Sequence, residues 1–315
     1  MAQSRTGEQV RFGALVPTWY MALPPKSKEI VEYCQAAEGL GFDSLWVIDR
    51  LFGELPVLEP FTVMTLAVAS TQRVGIGSCV ILAALRQPVW LAKEIATLDY
   101  LSGGRVVLGI SLGGNQQAFD AVGFPLRQRT RRLEEAITIM RKLWNEDNVT
   151  WHGRYSQLQD ATINPKPVQS HLPILLGAAR EPALRRAGVM ADGWIANAFS
   201  TPQQCRERWE MVKTFAQAGG RDPSSLQCGK LLYCWVDDDR TRARQAVSSF
   251  YQAHYPNIHV EDFAACGPPE ECAHYIQQYI DAGARTIILG PTGLDIHQLE
   301  LLTERVLPLM TAPRP

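Results

Sequence analysis

The sequence predicts an α/β chain folded as a (β/α)8 TIM barrel with insertions, one domain over residues 1–315. Three observations lead there. Short β-rich runs alternate with longer helical patterns along the 315 residues, and parallel strands need crossover helices of consistent hand. The strand–helix unit recurs eight times, the number that closes such a barrel. The first connection, Pro17-Thr18-Trp19-Tyr20-Met21-Ala22-Leu23-Pro24-Pro25, contains no glycine, so the open dinucleotide-binding sheet with its G-x-G-x-x-G turn loses.

Each element has a local reason. Residues 11–16 (RFGALV) read as a strand, and 26–40 as a helix stopped by Gly41. Residues 44–48 are the second strand. Residues 60–70 are a helix with Pro60 near its start, where the missing N–H does no harm. Strands at 73–80 and 105–110 flank a helix at 88–101. Residues 113–125 read as a loop of Gly and small polar residues, 130–144 as an amphipathic helix, and 149–168 as a hairpin-bearing insertion. Strands at 173–176, 193–196, 227–236 and 285–289 follow, with helices at 182–189, 203–218, 240–252, 269–282 and 297–310.

Composition narrows the function. Hydrophobic residues make up 46% and charged residues 20%, a globular balance. With 31 basic and 32 acidic residues the formal charge is −1, so neither nucleic acid nor an anionic membrane is expected as partner. The seven cysteines lack C-x-x-C spacing, which disfavours a disulfide framework or a zinc site and points to a reducing cytoplasm. Residues 1–9 carry no apolar leader core, and no run approaches the roughly eighteen apolar residues of a membrane span.

A barrel of this type puts its active site at the C-terminal ends of the strands. The candidates are therefore Thr18, Trp19 and Tyr20 after the first strand, Asp49 and Arg50 after the second, and Cys79 to Leu82 at the third. Ser111 to Asn115, Gly177 to Arg180 and Asn197 to Phe199 follow the fourth, fifth and sixth.

An ordered set of segments then carries a resemblance. It runs through Gly39-Leu40-Gly41-Phe42-Asp43-Ser44-Leu45-Trp46-Val47, Glu59-Pro60, and Ala96-Thr97-Leu98-Asp99-Tyr100-Leu101-Ser102-Gly103-Gly104-Arg105. Leu143-Trp144, Asn164-Pro165-Lys166-Pro167-Val168-Gln169, Ala183-Leu184-Arg185-Arg186-Ala187 and Ala191-Asp192-Gly193-Trp194 follow, then Gly219-Gly220-Arg221-Asp222-Pro223 and Gly267-Pro268-Pro269-Glu270-Glu271. From about residue 10 to 310 the chain resembles the luciferase-like monooxygenase and deazaflavin-dependent reductase superfamily. The resemblance implies a planar redox coenzyme at the barrel mouth, either coenzyme F420 or FMN, and the compact length favours F420. Homodimers are common in the superfamily.

The resemblance also assigns residues. It places the coenzyme phosphate on Gly177, Ala178 and Ala179, where small residues and a helix N-terminus suit an anion, with Arg180 as a possible charged partner. It implies a cis peptide at Cys79–Val80 behind the ring, and adds Asp49, Gly113 and Trp194 to the cofactor contacts. Gly75 and Gly77 within the third strand read as marks of a bulge or of close ligand approach. Cys79 reads as packing, not as a nucleophile. Trp19, Tyr20 and Phe199 are candidate apolar walls for substrate.

Two positions depart from the pattern. Arg50 stands where many relatives carry a histidine, and arginine is a poor acid–base group but a good clamp for a carboxylate or for developing negative charge; the alternative is a structural pair with Glu54 or Glu59. Gly114 stands where a catalytic glutamate is often found, leaving Asn115 and Gln117 as hydrogen-bonding groups. Arg50 and Asn115 are thus the catalytic candidates, and a reductase acting on a small molecule is favoured. An FMNH2-dependent monooxygenase and a non-catalytic flavin-binding relative remain as alternatives. His254 and His259 read as surface residues more than as mouth residues, and Arg127, Arg129, Arg131 and Arg132 as a solvated basic face.

Overall fold

The computed structural model describes residues 9–310, so the leader reading for residues 1–8 lies outside the described residues. Eight barrel strands are present: β1 (Arg11–Leu15), β2 (Ser44–Val47), β3 (Gly75–Ser78), β4 (Val106–Ser111), β5 (Ile174–Gly177), β6 (Gly193–Ala196), β7 (Gln227–Val236) and β8 (Thr286–Gly290). Each lies parallel to the next in chain order, and β8 returns to β1 with Thr286 opposite Arg11. The ring is closed.

The helices are α1 (Ser27–Gly39), α2 (Pro60–Ser70), α3 (Pro88–Ser102), α4 (Gln116–Ala121), α5 (Arg129–Asn145), α6 (Glu181–Met190), α7 (Pro202–Ala218), α8 (Arg240–Tyr251), α9 (Pro269–Asp281) and α10 (Ile296–Leu301). The insertion holds the expected antiparallel hairpin, Val149–His152 with Gln157–Ala161.

Four details differ from the sequence reading. The expected loop at 113–125 contains α4, which starts because the Asn115 side chain accepts from the Ala118 N–H at 3.1 Å. The third strand stops at Ser78, since the Cys79–Val80 peptide is cis, and Ile81–Leu82 resumes pairing with β4. Ala265–Gly267 forms an unforeseen short strand on the end of β7. The last helix is shorter than expected: α10 passes into a wider turn at Leu302–Val306 and a tight one at Leu307–Leu309, where Pro308 offers no N–H.

The barrel interior is filled, not hollow. Leu15, Trp46, Leu175, Ile195, Leu231 and Ile288 pack inside it, each worth about 1.5–3 kcal/mol of burial. Gly77 makes room for Trp46: a Cβ there would run into the indole ring. The glycine therefore answers to a tryptophan and not to a ligand. At the N-terminal end of the barrel, the Arg105 guanidinium donates to the carbonyls of Val68, Thr71 and Val74 at 2.8–3.2 Å. Asp192 accepts from the Ile174 N–H and from Arg141, both at 2.8 Å. These ties hold the bottom of the ring and leave the top to the loops.

Candidate active site

At the C-terminal mouth the loops after β1 and β2 latch together. Trp19 bridges Val57, the Leu58 N–H donates to the Thr18 carbonyl at 2.8 Å, and the Thr18 hydroxyl donates to the Ile48 carbonyl at 2.9 Å. Trp19 is thereby fixed and buried, its ring tilted against His254 at 4.8 Å and Tyr255 at 5.6 Å, with its Nε1 lacking a partner. Tyr20 turns away from the mouth: it is buried, its hydroxyl donates to the Pro17 carbonyl at 2.5 Å, and burial pushes its pKa up. That geometry makes it a support for the loop instead of a substrate wall.

Arg50 lies over this aromatic floor, its Cζ 4.7 Å from the Trp19 centroid and 5.8 Å from that of Tyr255. Among the described residues no carboxylate pairs with it. The structural alternatives fail because Glu59 is taken by Arg86 at 3.1 Å and Glu54 stays exposed. Asp49 is committed elsewhere. Its buried carboxylate accepts from the Leu82 N–H at 3.0 Å and from Arg86 at 3.1 Å, which ties the segment following the cis peptide to the end of β2.

Cys79 and Val80 sit where β3 meets the mouth. Burial pushes the Cys79 thiol well up, consistent with packing. Val80 reaches across to β5, and a Cβ on Gly177 would lie 3.2 Å from its methyl group. Gly177, Ala178 and Ala179 are half-buried, and Arg180 is exposed at the N-cap of α6 with no capping side chain. In the first turn of that helix Pro182 has no N–H and the Ala183 N–H is donated to the Arg180 carbonyl at 2.9 Å, which leaves the Glu181 N–H and the loop before it to face an anion. Trp194 corrects one expectation. It has no exposed surface, stacks 6.5 Å from Trp209, and donates from Nε1 to the Ala178 carbonyl at 2.8 Å. It holds the loop from beneath and offers no face to a coenzyme.

A cavity of about 750 Å³ opens beside Arg50, Leu82, Gly113, Asn115, Gln117 and His254. Asn115 spends its carbonyl oxygen on the α4 cap, which leaves its NH2 free to donate. His254 was misjudged from the sequence as a surface group. It is only 7% exposed, its Nε2 has no partner, and burial together with the Arg50 charge pulls its pKa down to about 4. The imidazole is neutral at neutral pH. His259 is exposed, as expected. Phe199 meets Tyr255 edge-on at 4.7 Å.

Two contributors gave no signal in the sequence. Arg86 joins Asp49 and Glu59. Lys230, with no exposed surface, donates from Nζ to the carbonyls of Asn197 at 2.7 Å, Ala198 at 2.9 Å and Ser200 at 3.3 Å. It clamps the loop that carries Phe199, and burial pulls its pKa to about 7. Of the basic run, Arg127 and Arg131 are exposed, whereas Arg132 packs between Phe124 and Tyr155. No cluster of metal-binding side chains occurs among the described residues.

Known proteins resemble this chain in sequence and in fold. The chain is 29% identical over 316 residues to the F420-dependent glucose-6-phosphate dehydrogenase of Microbacterium testaceum, covering 89% of this chain and 92% of that one. A dehydrogenase of the same name from Intrasporangium calvum is 36% identical over 178 residues, 53% of each chain. The 5,10-methylenetetrahydromethanopterin reductase of Methanolobus tindarius is 26% identical over 304 residues, covering 84% of this chain and 91% of that one. An F420-dependent secondary alcohol dehydrogenase solved with an F420–acetone adduct has the same fold, with a TM-score of 0.85 at 23% identity over 95% of this chain and 98% of that one. The sequence profile of one family matches residues 10–260, most of the barrel and the greater part of its mouth, and the chain belongs to that family, the luciferase-like monooxygenases.

Proposed function

We propose that the chain is an oxidoreductase that moves a hydride between coenzyme F420 and a small organic substrate, working as a reductase. The F420-dependent relatives that align over nearly the whole chain support the choice of coenzyme. One observation carries the choice of reaction: the mouth presents a fixed cation, Arg50, beside a neutral buried imidazole, His254. Such a pair stabilises negative charge but does not shuttle protons at neutral pH. A sugar-phosphate or alcohol dehydrogenase needs that shuttle, and Gly114 offers no side chain to supply it.

The residues present fit a phosphorylated planar coenzyme. The uncapped start of α6 and the small side chains of Gly177, Ala178 and Ala179 suit its phosphate. Cys79 and Val80 back the ring, with Gly113 on the cavity wall. Asp49 and Trp194 keep those segments in place through Leu82 and Ala178. F420 supplies, when bound, the ring carbon that carries the hydride. Arg50 stabilises the negative charge that develops on substrate or ring, the Asn115 NH2 orients a polar substrate group, and Trp19 and Phe199 form apolar walls. The proton that completes a reduction comes from water at the open mouth. In this reading the protein is a cytoplasmic homodimer.

Titration with F420 and, separately, with FMN while following ring fluorescence tests the cofactor. Turnover of reduced F420 with a panel of alkenes, imines and carbonyls then tests the reaction. Tight FMN binding without a response to F420 refutes the proposal in favour of an FMNH2-dependent monooxygenase. F420 binding without any turnover refutes it in favour of a non-catalytic relative.

A further inference from the structure

Arg50 is the basic side chain lining the mouth cavity, and none of its five N–H donors has a described hydrogen-bond acceptor. The two acidic residues on the same cavity do not neutralise it: Asp49 is bound to Arg86 and the Leu82 N–H, and Glu54 is exposed and beyond ion-pair distance. His254, more than nine-tenths buried, lines the same cavity, and its Nε2, enclosed by the protein, has no partner. A half-buried cation and a buried ring nitrogen left without partners both cost free energy until a ligand satisfies them. Beside these polar groups Leu51, Phe52, Leu55, Leu82 and Leu85 give the cavity a wall of apolar surface.

We propose that this cavity selects substrates carrying a carboxylate on an apolar body, the carboxylate seated on the Arg50 guanidinium and receiving a second hydrogen bond from His254. The planar fork of arginine matches a carboxylate with two parallel N–H···O bonds. Charge decides against a phosphate. One guanidinium and a neutral imidazole supply a single positive charge, which balances one carboxylate but leaves a phosphate dianion uncompensated beside Asp49 and Glu54. Calling the ligand a substrate rests on the reductase reading; its binding does not.

Calorimetric titration of the purified full-length chain with benzoate, cinnamate and hexanoate, each against its primary amide, tests the proposal. A charge-assisted bidentate contact predicts that the acids bind about 10- to 100-fold tighter than the amides. Arg50→Gln should erase that ratio, and Arg50→Lys, which keeps charge but loses the fork, should retain only part of it. His254→Phe, which preserves the ring packing on Trp19, should lower acid binding and leave amide binding unchanged. Circular dichroism melts confirm that each variant folds. Equal affinity for acid and amide, failure of every acid to bind, persistence of the ratio in Arg50→Gln, or inorganic phosphate outcompeting the acids would each overturn the proposal. F420 fluorescence titrations on the same proteins read the cofactor separately: their failure sinks the reductase reading while the acid-to-amide ratio still decides this one.

Discussion

Replacing Lys230 with Met tests whether a buried ammonium in the barrel wall holds the loop after β6. Folding lowers the lysine pKa from 10.5 to about 7, chiefly through burial. Between those values the unfolded chain binds a proton that the folded chain does not, so wild-type stability rises with pH by about 1.4 kcal/mol per unit. From pH 7 to pH 9 the gain amounts to about 2 kcal/mol; below the folded pKa both states are protonated and the slope fades. Met titrates nowhere, so the stability of wild type relative to Lys230→Met should climb by that amount over the same window. The variant also strips the donors from three carbonyls, at about 1–3 kcal/mol for each one left unsatisfied, an effect without pH dependence. Urea unfolding at pH 7, 8 and 9 measures the difference. Both proteins should carry Cys205→Ser, because the charge of that thiol acts on Lys230. Parallel stability profiles would show that the lysine is not held at a lowered pKa; equal stability of the two proteins throughout would refute the clamp.

Three further substitutions probe the mouth. Gly177→Val adds a branched side chain whose Cβ already lies 3.2 Å from Val80; the chain should fold, and F420 affinity should fall at least about tenfold by fluorescence titration, a loss of about 1.4 kcal/mol. Trp194→Phe removes the donor to the Ala178 carbonyl and should cost about 1–2 kcal/mol in urea unfolding, with weakened coenzyme binding. Arg86→Leu leaves the buried Asp49 carboxylate with the Leu82 N–H alone; with the partial exposure of Arg86 discounted, the loss is about 2 kcal/mol by thermal or urea unfolding.

The barrel was legible because its signals are local and repeated. Each strand is a short apolar run, and a Pro at the start or a Gly at the end marks several helices, as at Pro60 and at Gly103, whose φ is +71°. The same reasoning placed Asp49, Arg50, Cys79 and Gly177 at the mouth, since barrel topology alone sends strand ends there. What it missed lies in partnerships between distant segments. Nothing near Lys230 indicates that three carbonyls from residues 197–200 will surround its ammonium. His254 follows α8 by three residues, and its burial depends on Trp19 arriving from the first loop. The burial of Tyr20 and Trp194 has a related reason: an aromatic side chain in the right segment still has a polar edge, and here backbone carbonyls took it.

The segments that carried the resemblance and the residues that give this mouth its character divide by position. Asp99, Arg105, Asp192 and Arg221 all bind backbone groups near the bottom of the barrel, where they fix the ring and touch no ligand. At the top, Arg50 acts on His254. Burial, and after it the guanidinium, pull the imidazole pKa down to about 4, so the pair carries one positive charge, not two, across the neutral range. A second positive charge would draw in dianions and offer a proton donor. In the proposed function, one charge and an unprotonated ring let the mouth orient a monoanion and stabilise a hydride acceptor while leaving proton delivery to water. On the proposed reading, an arginine at the strand end where the resemblance implies a histidine changes the kind of substrate the barrel accepts without changing the barrel.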